Sequence, residues 1–535
     1  MRDKFENSGR LVRFMLRRER VVSVIWIVCL VLFSAFLSTG MGSAFDDASR
    51  QALAATLNNP AMVAMMGPVY GIDNYTIGAM YSNCMLLWII IAVAIMNIFL
   101  VVRHTRGDEE KGRAEVARSL PTGRLSIINA TMITALCVNA VLSVLTGVLI
   151  AAVGDSSMSF GGAMLYGLTM FSSGMFFAAV TALFSQLSSN SRGASGYSIL
   201  VLVLLYMLRA VGDIRSEALA LISPMGLILR SQVFVENNVL PSIIVFIEAV
   251  VVAAVAYKLN SIRDIEQGFI SARPGRRGAS SLLSSSFGLS FRLLRNTIII
   301  WFVGMLLLGA SYGTVLGDVD DFIQQNEFYQ AMIGANAEYS TAMMFSTMVN
   351  SIMALVCLVP ILTSILKPLG EEREGRAEHI LARAVSRSKY IIGYIIIAVI
   401  LAALIQFATA AGLYSAASAV LPDPAELSLG FLLKANLVFL PAIWFFLSVA
   451  VVFAGFAPRA TGAIWGYFGF CFLMSFVGRV MDMPAVLAKL NPFDYIPQLP
   501  VDEIKWAPLI VMTIAAAALT IAGATGYSRR SLKSM

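Results

Sequence analysis

The sequence predicts an all-α polytopic membrane protein with about 12 transmembrane helices, arranged as two parallel repeats of six. Composition, the spacing of apolar runs and an internal repeat support this fold class. Of the 535 residues, 58% are hydrophobic and only 13% are charged, and the mean hydropathy is +0.78. A soluble domain has about 25% charged residues. A water-soluble enzyme is therefore excluded, and the chain is expected in a lipid bilayer.

Twelve apolar runs supply the predicted spans. A bilayer core takes about 20 apolar residues per helix, and strands of a membrane barrel would instead alternate apolar and polar residues. The runs are 21–37, 85–102, 125–153, 163–184, 197–208, 243–255, 298–309, 342–366, 390–413, 431–456, 462–477 and 507–524.

Basic residues set the predicted orientation. The chain has 39 Lys and Arg, and most of them flank alternate ends of the runs, as expected for cytoplasmic loops. Both termini are therefore predicted to be cytoplasmic. The net charge of +7 follows from this orientation, so no nucleic-acid partner is predicted.

A polar segment divides the chain almost in half. Residues 260–288 are rich in Arg, Pro, Gly and Ser, a composition typical of flexible linkers. We predict a first six-span half at 1–259, a cytoplasmic linker at 260–288 and a second six-span half at 289–535.

The two halves resemble each other. Gly107–Glu115 reads Gly-Asp-Glu-Glu-Lys-Gly-Arg-Ala-Glu, and Gly370–Glu378 reads Gly-Glu-Glu-Arg-Glu-Gly-Arg-Ala-Glu, each after the second span of its half. A further arginine, Arg124 or Arg387, follows at the same distance. Six spans per half place both copies on one side of the membrane, as in parallel repeats of transporters.

The paired acidic loops are the predicted functional site. A solvated loop accounts for charged residues in general, but not for nearly the same order of charges at two matched positions. A short helix with exposed Glu and Arg offers charge-assisted contacts to a soluble partner. Gly112 and Gly375 would allow the chain to leave the span and turn.

This motif resembles the loop between the second and third spans of ABC transporter permeases of the class-2 exporter type, the ABC-2 superfamily. In those permeases a Glu-x-Glu-x-Gly-(Thr/Arg)-x-Glu stretch forms the cytoplasmic coupling helix. A double-length branch with fused halves, identified with the export of polyketide antibiotics, is more similar still. The topology covers the whole chain, but the specific motif covers only the two loops, and both have Gly-Arg in place of the commoner Gly-Thr.

The resemblance implies a permease subunit of an ATP-driven exporter in a bacterial plasma membrane. It would move a hydrophobic or amphipathic compound, drug-like, antibiotic-like or lipid-like, by alternating access driven by two copies of an ABC ATP-binding subunit. The partner-coupling residues it implies are Glu109, Glu110, Gly112, Arg113, Glu115, Glu371, Glu372, Gly375, Arg376 and Glu378. ATP and Mg²⁺ would bind the partner, since this chain has no phosphate-loop motif. No catalytic residue, metal ligand or cofactor of its own is predicted.

Three charged residues in or near apolar runs are weaker candidates for substrate binding, because charge at membrane depth is often functional. Arg209 precedes Asp213 and Arg479 precedes Asp482, so either could form an ion pair at the outer interface. Glu248 corresponds to an alanine in the second half and could face the cavity, snorkel or pair.

The segments before the first span of each half, around Arg10–Arg18 and Phe287–Arg295, alternate apolar and basic residues. They are compatible with amphipathic elbow helices at the membrane interface. A simple positively charged flank remains an equal interpretation.

Two other functional classes compete with an exporter permease. A proton-coupled secondary drug transporter of the major facilitator kind also has two parallel six-span halves. However, the outer segment Gly40–Asn83 is long for a connection, and ion coupling needs more acidic residues within the spans. A membrane enzyme or assembly scaffold lacks a supporting constellation of catalytic side chains.

Overall fold

The computed structural model of the chain describes residues 4–58, 60–264, 267–270, 278–316, 340–383, 385–421, 427–477, 489–500 and 502–531. The chain forms two compact units, residues 1–275 and residues 276–535, which we call the first and second units. The boundary between them falls within the predicted linker. Each unit has its own hydrophobic core.

The first unit is built from helices, because a backbone in lipid must satisfy its own N–H and C=O groups. Its helices are α1 (Ser8–Ala44), α2 (Asp47–Leu57), α3 (Pro60–Met66), α4 (Ile77–His104), α5 (Arg106–Glu110), α6 (Arg113–Arg118), α7 (Ser126–Ala152), α8 (Phe160–Leu187), α9 (Ser191–Arg215), α10 (Glu217–Leu221), α11 (Pro224–Leu229) and α12 (Leu240–Ile262).

The second unit repeats the long helices of the first in the same order. Its helices are α13 (Ser286–Val315), α14 (Thr341–Arg373), α15 (Arg376–Leu381), α16 (Arg387–Val420), α17 (Leu429–Leu437), α18 (Leu440–Phe456), α19 (Gly462–Val477) and α20 (Trp506–Arg529). The α17–α18 pair corresponds to α8. It is interrupted just before Pro441, which lacks the N–H that would continue the helical hydrogen bonding.

Among the described residues, 11 helical segments are long and apolar enough to cross a bilayer. The remaining predicted span is α19, which has 16 residues and ends where the described stretch ends. At 1.5 Å per residue it covers about 24 Å of a bilayer core about 30 Å thick. The prediction of an all-α polytopic membrane protein is confirmed.

The predicted elbow segments are not separate helices. Residues 10–18 are early turns of α1, which continues unbroken for 37 residues, and residues 287–295 likewise begin α13. No proline or glycine lies between Arg10 and Thr39, so nothing ends the helix before the span. At about 55 Å, α1 is longer than the bilayer core, so the helix must extend beyond the core, tilt within it, or both.

Close helix packing depends on glycine at several crossings. A Cβ on Gly167 of α8 would lie 2.3 Å from the Ser143 carbonyl oxygen of α7. A Cβ on Gly412 of α16 would lie 2.0 Å from the Leu306 carbonyl oxygen of α13. Only glycine permits this approach, and small residues have the same role in membrane helix packing generally.

Two segments predicted as connections are structured. The long segment after α1 folds into α2, α3 and a 3₁₀ turn, whose buried core includes Leu57, Tyr75 and Met80. The start of the predicted linker is anchored to the end of α8, where the Ile270 N–H donates to the Leu187 carbonyl at 2.8 Å. The central linker residues 271–277 lie outside the described residues.

Candidate functional site

The two acidic loops adopt the same backbone path from the glycine onward, although the acids before it lie on the separate helix α5 in the first unit and on the last turn of α14 in the second. Each follows the second span of its unit, turns at a glycine and then forms a six-residue helix, α6 or α15. The turning residues Gly112 and Gly375 have φ angles of 68° and 72°, in the left-handed region that favours glycine. We call residues 106–124 the first loop, residues 369–387 the second loop, and α6 and α15 the loop helices.

The first acid of each motif pairs with the arginine that follows the glycine. In the first loop Arg113 donates to Asp108 at 3.4 Å, and in the second Arg376 donates to Glu371 at 2.5 and 3.0 Å. The hydrogen bonds that Arg376 donates to Glu371 raise the pKa of Arg376. The pair spans the turn in both loops, so it braces each loop helix against the preceding span.

The second acid of each motif pairs with an arginine at the end of the sixth span. Arg263 follows α12 directly and binds both carboxylate oxygens of Glu109, one of them at 3.1 Å. Arg530 follows α20 directly and binds Glu372 at 2.5 Å. We call these two ion pairs the clasps. Tyr527 also donates to the Glu372 carboxylate.

The third charged position contacts the segment before the fifth span in both units, although its charge differs. Glu110 accepts from the Ser191 N–H at 2.7 Å and from the Ser191 hydroxyl at 2.5 Å, which caps the N-terminus of α9. The corresponding Arg373 donates to the Pro458 carbonyl oxygen at 3.4 Å.

An arginine cluster surrounds Glu109 in the first unit. Arg106 is buried and donates to Glu109 and to the carbonyl oxygens of Ser185, Gln186 and Gln267. Arg118, Arg124 and Arg263 complete the cluster, and burial lowers the pKa of Arg118. The positions matched to Arg106 and Arg118 are Leu369 and Leu381, so Glu372 faces fewer cations than Glu109.

The first loop is also tied to the first span. Arg18 of α1 donates to Asp108 at 2.8 Å. Near this pair, Glu19 binds Arg103 at 2.9 Å and lies 3.0 Å from the Nε2 atom of the fully buried His104. These ion pairs join α1 to the end of α4 just before the loop begins.

The remaining predicted coupling residues face outward. Glu115 and Glu378 are exposed and have no ion-pair partner among the described residues. Arg113 and Arg376 keep 57% and 44% of their side chains exposed despite their internal pairs. We call these four residues the outward face. Beside it, the first loop helix exposes Val116, whereas the matched residue of the second is His379.

Of the intramembrane candidates, Arg209 has a structural role. It is buried in α9, forms an ion pair with Asp213 at 3.3 Å, and donates to the carbonyl oxygens of Val63, Ala64 and Met65 at the end of α3. Cations stabilise helix C-termini in this way. The predicted Arg209–Asp213 ion pair is therefore present.

Glu248 and Arg479 have different outcomes. Glu248 lies in α12, and one of its carboxylate oxygens is buried with no hydrogen-bond partner in the part of the chain that is described. Its proposed contact with substrate stays a prediction. Arg479 and Asp482 lie outside the described residues.

Comparison with known proteins identifies the family. The family model for the C-terminal domain of the multidrug efflux system permease Rv1217c matches residues 10–258 and 283–528. The multidrug efflux system permease protein Rv1217c of Mycobacterium tuberculosis is 31% identical over 541 residues, covering 99% of this chain and 96% of that protein. This chain belongs to the multidrug efflux system permease family. The resemblance to exporter permeases is confirmed, and no part of the match favours the major facilitator alternative.

The spacing of residues in the sequence points to the two clasp arginines of the permease. The distribution of basic residues alone does not distinguish them. Arg263 and Arg530 resemble ordinary positive flanks after the last span of each half. Each nevertheless lies 22 residues after a proline near the start of that span, Pro241 or Pro508. Aligning the halves on these prolines therefore pairs the two arginines.

Replacing either loop glycine of the permease with alanine is expected to cost about 1–2 kcal/mol, because an L-residue is strained at positive φ. Among the described residues beyond the immediate chain neighbours, no atom lies within 4 Å of an added Cβ at Gly112 or Gly375, so the expected cost comes from the backbone conformation. Limited proteolysis of the purified permease should show faster cleavage within the altered loop. Gly370→Ala is the matched control, since Gly370 is helical and equally uncrowded. Equal cleavage of Gly375→Ala and Gly370→Ala would contradict the strain.

Proposed function

We propose that the permease exports drug-like hydrophobic or amphipathic compounds, driven by ATP that two copies of a separate ATP-binding subunit hydrolyse. One observation carries this proposal above all: a similarly braced loop is built twice, with matched internal pairs and an outward face that stays exposed. A solvated loop does not need duplicate bracing. A docking element does, because it must move as one body when a partner pushes it.

The outward face refines which residues dock the partner. Eight of the ten predicted coupling residues have a role within their own unit: Gly112 and Gly375 make the turns, and six bind internal partners, namely Glu109, Glu110, Arg113, Glu371, Glu372 and Arg376. Arg113 and Arg376 keep much of their side chains exposed despite these pairs, so together with Glu115 and Glu378 they remain accessible for contact. Charged side chains at an exposed surface give specificity and speed to association with a complementary partner.

The loop end of each unit is proposed to face the cytoplasm of a bacterial cell. Basic residues concentrate in the loops, before α1 and after α20, as the positive-inside rule requires. The N-terminal segment lies beside the first loop, where the Leu125 N–H donates to the Lys4 carbonyl at 2.9 Å. A cytoplasmic first loop therefore implies a cytoplasmic N-terminus.

Alternating access is the proposed mechanism of transport. Closure of the ATP-binding subunits would displace the loop helices, and the helices would carry the ends of the spans to which they are paired. Because packed helices have few stable arrangements, a small displacement at a loop could favour an outward-facing state over an inward-facing one. The ATP-bound subunits can shift the permease between these two states only to the extent that they bind one state more tightly than the other.

Purification of the permease with the ATP-binding subunit of its own gene cluster tests the proposal. We expect a complex with two copies of that subunit per permease, measured by native mass spectrometry, and ATP hydrolysis that rises when a transported drug is added. Drug export from intact cells should persist when an ionophore collapses the proton gradient while ATP remains high. Export that stops with the ionophore, together with absence of the complex, would instead indicate a secondary transporter.

A further inference from the structure

We propose that the two clasps transmit movement of each loop helix to the sixth span of the same unit, so that Arg263 and Arg530 are positioning residues for transport. This inference rests on the proposed function and adds a route for the motion. It concerns residues that the docking role does not use.

The clasps have the same construction in both units. Arg263 and Arg530 are each the C-cap residue of a sixth span, with extended backbone at ψ 135° and 154°. Each backbone N–H closes the last helical turn, donating to the Leu259 or Gly526 carbonyl oxygen. The side chain of the same arginine extends from the helix end to the acid of the loop. One residue therefore both ends the sixth span and binds the loop.

A third contact makes each clasp a three-way junction. Arg124, just before α7, donates to the Arg263 carbonyl oxygen at 3.0 Å. Arg387, the first residue of α16, donates to the Arg530 carbonyl oxygen. The loop, the start of the third span and the end of the sixth span are therefore connected through one arginine in each unit.

The clasps are shielded from water, which makes them stiffer than surface ion pairs. Only 3% of the Arg263 side chain and 12% of the Glu109 side chain are exposed. The corresponding fractions for Arg530 and Glu372 are 10% and 2%. Charge pairs are weakly screened in such surroundings. In the first unit the two-point contact between Arg263 and Glu109 also fixes orientation, and in the second unit Tyr527 holds the Glu372 carboxylate beside its single bond to Arg530. A shift of the loop would therefore carry the sixth span with it.

The second unit offers the cleaner test, because fewer arginines surround its acid. We expect Arg530→Gln to leave binding of the ATP-binding subunit intact while drug export per ATP hydrolysed falls at least tenfold in reconstituted vesicles. Arg530→Lys keeps the charge and should retain at least half of the coupling. The exchange Glu372→Arg with Arg530→Glu should recover coupling lost in either single variant. Arg529→Glu is the matched control, since its exposed side chain lies next to the clasp.

Hydrogen–deuterium exchange of the same complexes separates transmission from simple stabilisation. ATP binding should change amide exchange in the last turns of α20 in the wild-type complex, and Arg530→Gln should remove that change. Normal export per ATP in Arg530→Gln, or an unaltered response of α20, would overturn the proposal. Failure of the proposed function appears differently, as absent ATP-driven export in the wild type and in Arg529→Glu alike, and it would overturn the transmission role with it.

Discussion

Replacement of Arg106 with alanine is expected to destabilise the first unit by about 3–5 kcal/mol, because it removes several buried hydrogen bonds of a charged donor, each worth about 1.5–3 kcal/mol, while Glu109 keeps its ion pair with Arg263. Only 1% of the Arg106 side chain is exposed. Its loss removes the guanidinium donor from the carbonyl oxygens of Ser185, Gln186 and Gln267, of which the last still accepts from Arg263 at 3.0 Å. Thermal unfolding of the full-length permease in detergent is the measurement.

Two variants calibrate the Arg106 result. Arg106→Lys retains a charge but loses the forked guanidinium donors, so we expect an intermediate loss of stability. Arg113→Ala removes a half-exposed arginine from the same loop and should change stability by less than about 1 kcal/mol. Unfolding of Arg106→Ala at the same temperature as Arg113→Ala would contradict the structural role of the arginine cluster.

Charge reversal on the outward face is expected to weaken binding of the ATP-binding subunit without unfolding the permease. Glu115 and Glu378 are exposed and make no ion pair among the described residues, so Glu115→Lys with Glu378→Lys should leave the melting temperature unchanged. We expect the dissociation constant for the subunit to rise at least tenfold, because like charges would then face each other across the interface.

Asp73→Lys is the control for this reversal, since Asp73 is an exposed acid in the segment between the first two spans. It should affect neither stability nor binding. Titration of the purified subunit against each permease variant gives the dissociation constants directly. An unchanged constant in the Glu115 and Glu378 variant would show that the loop helices do not dock the subunit through these carboxylates.

The sequence predicted the fold better than the contacts of the loops. Long apolar runs predict helices reliably, because the backbone N–H and C=O groups find no hydrogen-bond partners in lipid. The repeated motif indicates where the two loops lie. The same pattern could not show that Glu109 and Glu372 point inward. That direction depends on arginines more than 150 residues away along the chain, at the ends of α12 and α20.

Predictions from local composition and patterning were wrong or incomplete where contacts between distant parts of the chain determine the structure. The linker composition suggested flexibility, but residues near Gly268 pack against α8, where a Cβ would lie 2.4 Å from the Ser188 backbone. The elbow interpretation failed because amphipathic patterning does not mark a break within a continuous helix. The depth of Arg209 in an apolar run marks it as unusual, but its contact with the end of α3 depends on the segment after α1 folding back onto α9, which the local sequence does not show.

Drug accumulation in proteoliposomes measures the central claim most directly. Permease and ATP-binding subunit are reconstituted with the loop ends outside, and a fluorescent amphipathic drug is followed on addition of ATP and Mg²⁺. We predict uptake that requires ATP hydrolysis, is absent with a hydrolysis-deficient subunit and is absent without the subunit. Uptake that proceeds without the subunit, driven by an imposed proton gradient, would contradict the account.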